Sequence, residues 1–208
     1  MIKKISEWKR EFVNHKYLIA LSVLFLIIAI ILNYFAGVYV SKTNGVSAPD
    51  IILDYIPTLD LDFLFLYGSV FIIAIFFIYP LFFRVREFHK ILSQFSLLVL
   101  IRSAFICFTH LQTPASALKF KIPYLFSFFI FQNDLFFSGH VAISFLGFLA
   151  FKDSKIKWFF LTSSVIMAII VLLMHVHYTI DVLSAFFITY GTFKVGEWFF
   201  NKINHYTN

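Results

Sequence analysis

YLIALSVLFLIIAIILNYFAGVYV, residues 17–40, carries no charged side chain. It is longer than the roughly 20 residues an α-helix needs to cross a bilayer. FLFLYGSVFIIAIFFIYPLFF, residues 63–83, repeats the pattern. Helices apolar on every side have no aqueous face, so both stretches read as membrane spans. Composition agrees: 61% hydrophobic residues, 13% charged residues and a mean hydropathy of +0.87 leave too little polar surface to cover a soluble globule.

Outward from these two runs, residues 91–111 form a third span if Arg102 and His110 are tolerated, and residues 135–151, 157–174 and 177–199 supply three more. The expected fold class is therefore all-α: a polytopic integral membrane protein with six transmembrane helices in a single domain over residues 1–208. The apolar stretch near 122–132 is about half the length a crossing needs, so it is expected as an interfacial or re-entrant piece flanking the site. Lys3, Lys4, Lys9 and Arg10 precede an apolar run, as in a secretory signal. That run is too long and lacks a small-x-small cleavage site, so residues 1–16 are expected as a basic cytoplasmic N-terminus followed by the first span.

Lysine and arginine placement orients the helices. With six spans, Lys3, Lys4, Lys9, Arg10, Lys16, Arg84, Arg86, Lys90, Lys152, Lys155, Lys157, Lys194 and Lys202 share one side, against Lys42, Lys119 and Lys121 on the other. Both termini are expected to be cytoplasmic, with Asp50, Asp134, His140 and His177 on the extracytoplasmic, periplasmic or lumenal face. The net charge of +6 is then a topology signal, and bases spread over loops and ends give no indication of nucleic-acid binding. Cys107 is the single cysteine and excludes an intramolecular disulfide.

Ionisable groups at membrane depth usually serve chemistry or transport. Ser138-Gly139-His140 opens the fourth expected span, where free backbone N–H groups and the helix dipole favour a phosphate. Glycine permits close approach, serine offers a further hydrogen bond, and His140 can move a proton. His177-Tyr178-Thr179-Ile180-Asp181 opens the sixth span on the same face, and a spacing of four places the imidazole and the carboxylate on one side of a helix. A neutral imidazole held by a carboxylate can attack phosphorus while a second histidine protonates the departing alkoxide. The alternative is that these groups only satisfy one another between helices.

Arg102 suits either a phosphate or an ion pair with Asp134, Asp181 or another acid. His175, His110, His15, His89 and His205 read as bystanders, His175 because a two-residue offset puts it across a helix from His177. Asp50, Asp54, Asp60 and Asp62 read as a solvated outer loop, with Asp50, which follows Pro49, left open.

Asp134-Leu135-Phe136-Phe137-Ser138-Gly139-His140 and His175-Val176-His177-Tyr178-Thr179-Ile180-Asp181-Val182 together resemble the two signature blocks of the sphingomyelin synthase family, ceramide phosphoethanolamine synthases included. Pro49-Asp50-Ile51-Ile52-Leu53-Asp54 resembles that family's block after the first span. Arg102-Ser103, followed by Thr113-Pro114, weakly resembles the block in its third. The resemblance implies six spans, an extracytoplasmic or lumenal site, and transfer of phosphocholine or phosphoethanolamine from a glycerophospholipid to ceramide or a similar lipid alcohol, releasing diacylglycerol. It implies His177 as the nucleophile forming a phospho-histidine, Asp181 as its orienter and His140 as acid and then base. Asp134, Ser138, Gly139 and Arg102 would bind substrate.

The wider superfamily is the type-2 phosphatidic acid phosphatases, whose signature has an arginine where this chain has Val171 and includes a lysine and arginine block not found here. Both departures favour the transferase branch. Family members also commonly carry glutamate at the position of Val176 and a polar residue at that of Val141. A lipid phosphate phosphatase or phospholipase-C-like hydrolase would use the same histidines with water as acceptor, and a non-catalytic lipid-binding protein is a third reading. No cofactor and no metal is expected, since His175 and His177 do not share a helical face and no carboxylate array resembles a divalent-ion cage. The expected partners are a phospholipid donor, a lipid alcohol acceptor (ceramide or diacylglycerol) and the membrane.

Overall fold

A computed structural model describes residues 2–118, 131 and 133–206. The described residues contain seven α-helices: α1 Ile2–Asn14, α2 Lys16–Lys42, α3 Asp62–Phe83, α4 Val85–Phe108, α5 Gly139–Ala150, α6 Lys157–Leu173 and α7 Thr179–Tyr206. No strand occurs among the described residues; an isolated bridge joins Val46 to Leu111. Helices α2, α3 and α4 are each long and apolar enough to cross a membrane.

Four boundaries differ from the sequence reading. Residues 2–14 form a helix, α1, tied down by Trp8 Nε1 donating to the Leu81 carbonyl (2.7 Å) and by a 2.8 Å ion pair from Arg86 to Glu11. Helix α4 starts at Val85, six residues before Ile91, because only the Arg84 hinge separates it from α3. Helix α7 runs on from Thr179 to Tyr206. The fourth apolar stretch coils only from Gly139, since Asn133 and Phe136 hold positive φ (56° and 46°), which a right-handed helix cannot propagate through. The interfacial segment expected near 122–132 falls, Phe131 apart, outside the described residues.

Against lipid tails, burial of apolar area gives little driving force, so packing and interhelical polar contacts must hold such a bundle together. Phe76, Phe151 and Phe160 are fully buried, with ring centroids 5.2–6.1 Å apart. A Cβ at Gly147 would collide with the Phe160 ring, so α5 and α6 approach closely only because residue 147 is glycine. Helix α2 leans on α4, where Ser103 Oγ donates to Asn33 Oδ1 (3.2 Å), and Gln94 Nε2 on α4 donates to the Phe193 carbonyl of α7 (3.1 Å).

The loop contacts sort into two ends. At one, Glu11 meets Arg86, Lys152 meets Glu197 (2.9 Å) and Tyr79 Oη meets Ser154 Oγ (2.7 Å). At the other, Val46 N–H donates to the His110 carbonyl (2.9 Å), Leu59 N–H to the Leu173 carbonyl (2.8 Å) and Thr113 N–H to Asn133 Oδ1 (3.2 Å). Both motif blocks lie at the second end.

Candidate active site

Helix α7 begins at Thr179, which makes Tyr178 its N-cap and places Asp181 in the third helical position. From there Asp181 Oδ2 accepts the Tyr178 N–H (3.0 Å), while the Asp181 N–H donates to the Tyr178 carbonyl (3.0 Å). This is the backward-reaching half of a capping box. The same Oδ2 lies 3.3 Å from His177 Nδ1, and both side chains are buried. His177 therefore sits just before the helix and not on its face: the expected pair forms, but the capping turn makes it. With Nδ1–H directed at the carboxylate, Nε2 is left with its lone pair free.

The second block folds differently. Ser138 is the N-cap of α5, yet its side chain caps nothing. Among the described residues its buried Oγ has no hydrogen-bond partner, nor do His140 Nδ1 and Asp181 Oδ1. The His140 ring packs on Phe65 with centroids 4.4 Å apart. Backbone joins the two blocks directly, Ser138 N–H donating to the Asp181 carbonyl (3.2 Å). His140 lies within electrostatic range of both His177 and Arg102.

Arg102 forms an ion pair with Asp134, at 2.9 Å. Nε also donates to the Phe137 carbonyl (3.1 Å), so the guanidinium shapes the turn leading into Ser138. A Cβ on Gly139 would lie 3.0 Å from Arg102 Nε, so glycine admits the guanidinium against the first turn of α5. Positive charge, free helix-start amides and the buried serine hydroxyl thus converge at one point, an arrangement suited to a phosphate.

Other residues close over the pair. Tyr178 is buried, its hydroxyl donating to the Gln112 carbonyl (2.9 Å) and accepting the Ala48 N–H (3.2 Å). Leu53, Leu135 and Tyr178 form a small apolar cluster above the site. His175, expected as an interfacial bystander, is buried at φ 55° in the turn between α6 and α7, with Nδ1 2.6 Å from Ser116 Oγ. That turn leaves neither His175 nor His177 on a helix, so the two do not lie on opposite faces of one. His89 is also buried, its ring stacked on that of His15 at 5.5 Å.

Asp50 was not separable from the acidic loop by composition, although Pro49-Asp50 set it apart. Its Oδ2 accepts the Thr179 N–H (2.5 Å), and its Oδ1 accepts the Thr179 hydroxyl (2.8 Å) and the Ile52 and Leu53 amides (3.0 and 3.3 Å). Partial burial opposes ionisation, but the donors from Thr179, Leu53 and Ile52 outweigh it and hold the carboxyl below its ordinary range.

Residues 133–198 match the family model described as PAP2 superfamily C-terminal. The matched span contains Ser138-Gly139-His140 and His177 to Asp181. No curated protein matches the chain.

Proposed function

We propose that the protein is a membrane lipid phosphotransferase that moves a phosphocholine or phosphoethanolamine headgroup from a glycerophospholipid to ceramide or a similar lipid alcohol. The observation that carries this reading is the junction of the two blocks: the His177–Asp181 pair at 3.3 Å, bonded through backbone to a helix start with an uncapped serine. Three buried polar atoms without partners at one place, each costing about 1–3 kcal/mol, fit a site kept for a substrate better than a structural polar cluster. The superfamily match supports phosphatase- or phosphotransferase-type chemistry on lipid phosphates.

In this mechanism His177 Nε2 attacks phosphorus and the bond to the diacylglycerol oxygen breaks, the charge on phosphate oxygens being met by the α5 amides, Ser138 Oγ and Arg102. His140 gives its proton to the leaving alkoxide. It then takes the proton of the acceptor hydroxyl, whose oxygen attacks phosphorus as the phosphorus–nitrogen bond breaks, restoring both histidines. Asp181 holds the imidazole and stabilises its positive charge. We place the site on the extracytoplasmic face of a six-span protein with cytoplasmic termini, on the lysine and arginine asymmetry.

Hydrolysis, with water as acceptor, is the second reading, favoured by the phosphatase-type family match. The burial of Ser138, His177 and Asp181 favours transfer, because a site closed to water protects a phospho-histidine from hydrolysis. Purified protein incubated with labelled phosphatidylcholine or phosphatidylethanolamine, with and without ceramide, separates them. A labelled sphingolipid supports transfer, phosphorylated headgroup alone supports hydrolysis, and neither product contradicts both.

A further inference from the structure

We propose that Asp50 is a positioning residue for His177, acting through the first turn of α7. The inference rests on the histidine chemistry proposed above and adds a residue to it. Asp50 and Thr179 are 129 residues apart in sequence, yet the Asp50 carboxylate takes both the Thr179 amide and the Thr179 hydroxyl. Its Oδ1 also closes the turn at Ile52 and Leu53, so the carboxylate is rigid before it meets α7.

The consequence lies in what Asp181 is left free to do. A helix start presents several unpaired amides, and a carboxylate in the third helical position is their natural partner. Asp181 Oδ2 already serves the Tyr178 amide and His177 Nδ1. Were the Thr179 amide also unpaired, it would compete with the imidazole for that carboxylate. Asp50 takes this amide, and Asp181 keeps its hold on His177. With Nδ1–H fixed, Nε2 stays unprotonated toward phosphorus.

Asp50→Asn keeps the size and, with Oδ1 kept as acceptor for the Thr179 hydroxyl and the Ile52 and Leu53 amides, removes the Oδ2 acceptor of the Thr179 amide. Its expected effect is a fall in kcat of between about tenfold and 10²-fold, the scale of a small misplacement of a reacting group, with KM unchanged. Imidazole ¹⁵N spectra of wild-type protein should show His177 as one tautomer with Nδ1–H, and Asp50→Asn should show a mixture. Amide exchange at Thr179 should rise in the variant. Thr179→Val should reproduce part of the loss and Thr179→Ser should restore it, which keeps the test open should Asp50→Asn fail to fold. An unchanged His177 spectrum and unchanged Thr179 exchange in both Asp50→Asn and Thr179→Val would overturn the proposal. So would a loss expressed in KM alone. If the wild-type protein turns over no lipid, the reaction reading fails on its own, while the spectra and exchange still establish or refute the role of Asp50.

Discussion

At the N-terminus of α7 the leading amides are taken by carboxylates, Tyr178 N–H by Asp181 and Thr179 N–H by Asp50; at that of α5, Ser138 offers no side-chain cap and the Arg102 guanidinium lies against Gly139. Both are helix starts with a histidine in or beside the first turn, and they meet through the Ser138 to Asp181 hydrogen bond. The first end has two carboxylates, Asp50 and Asp181, set against its dipole. The second has an uncapped serine and, against its first turn, a guanidinium paired with Asp134. In the proposed mechanism the first end would hold the nucleophile still and the second would receive the group it attacks.

Removing either histidine should break this division of labour most severely. His177→Ala and His140→Ala are each expected to lower turnover of labelled phospholipid by at least ~10³-fold. A His177 variant keeping more than a tenth of the activity would refute its assigned role. Asp181→Asn comes next, with a loss of ~10²- to 10⁴-fold from a misoriented imidazole; a loss smaller than tenfold would mean that the capping turn alone holds His177.

Substituting the two N-termini should then give opposite signs in stability. Ser138→Ala removes a buried hydroxyl that has no partner, so thermal unfolding should show no loss and up to about 1 kcal/mol of gain while activity falls. Asp50→Ala removes a cap and should lower stability by about 1 kcal/mol. Equal losses at both ends would erase the contrast between them.

The smallest effect is a dependence on pH. Because the Asp50 carboxyl is held below its ordinary value of 3.8, its contribution to stability is fully present above that value and is lost as pH falls through the lower folded value. Protection of the Thr179 amide, corrected for intrinsic exchange, should weaken over that acid range in the wild type and show no such step in Asp50→Asn.

Much of this was legible in the sequence for physical reasons particular to each residue. Residues 17–40 and 63–83 declare helices because each runs without a charge for more than the length of a crossing. The His177 and Asp181 spacing announces their contact, although the geometry that delivers it is a capping turn and not a helical face. The start of α5 was misjudged by four residues because positive φ at Asn133 and Phe136 has no signature in hydropathy. Arg102 stood between two partners until the fold brought Asp134 to 2.9 Å. Pro49 set Asp50 apart from Asp54 and Asp60 in the sequence, but its role shows only in the contact with Thr179.

Donor phosphatidylcholine and phosphatidylethanolamine labelled in the headgroup phosphate, mixed with purified protein and quenched within one turnover, would expose the proposed intermediate directly. An acid-labile labelled phosphocholine or phosphoethanolamine group is expected on His177, absent from His177→Ala and discharged on adding ceramide. Turnover of either donor with no label on His177, or with label retained in His177→Ala, would contradict the mechanism.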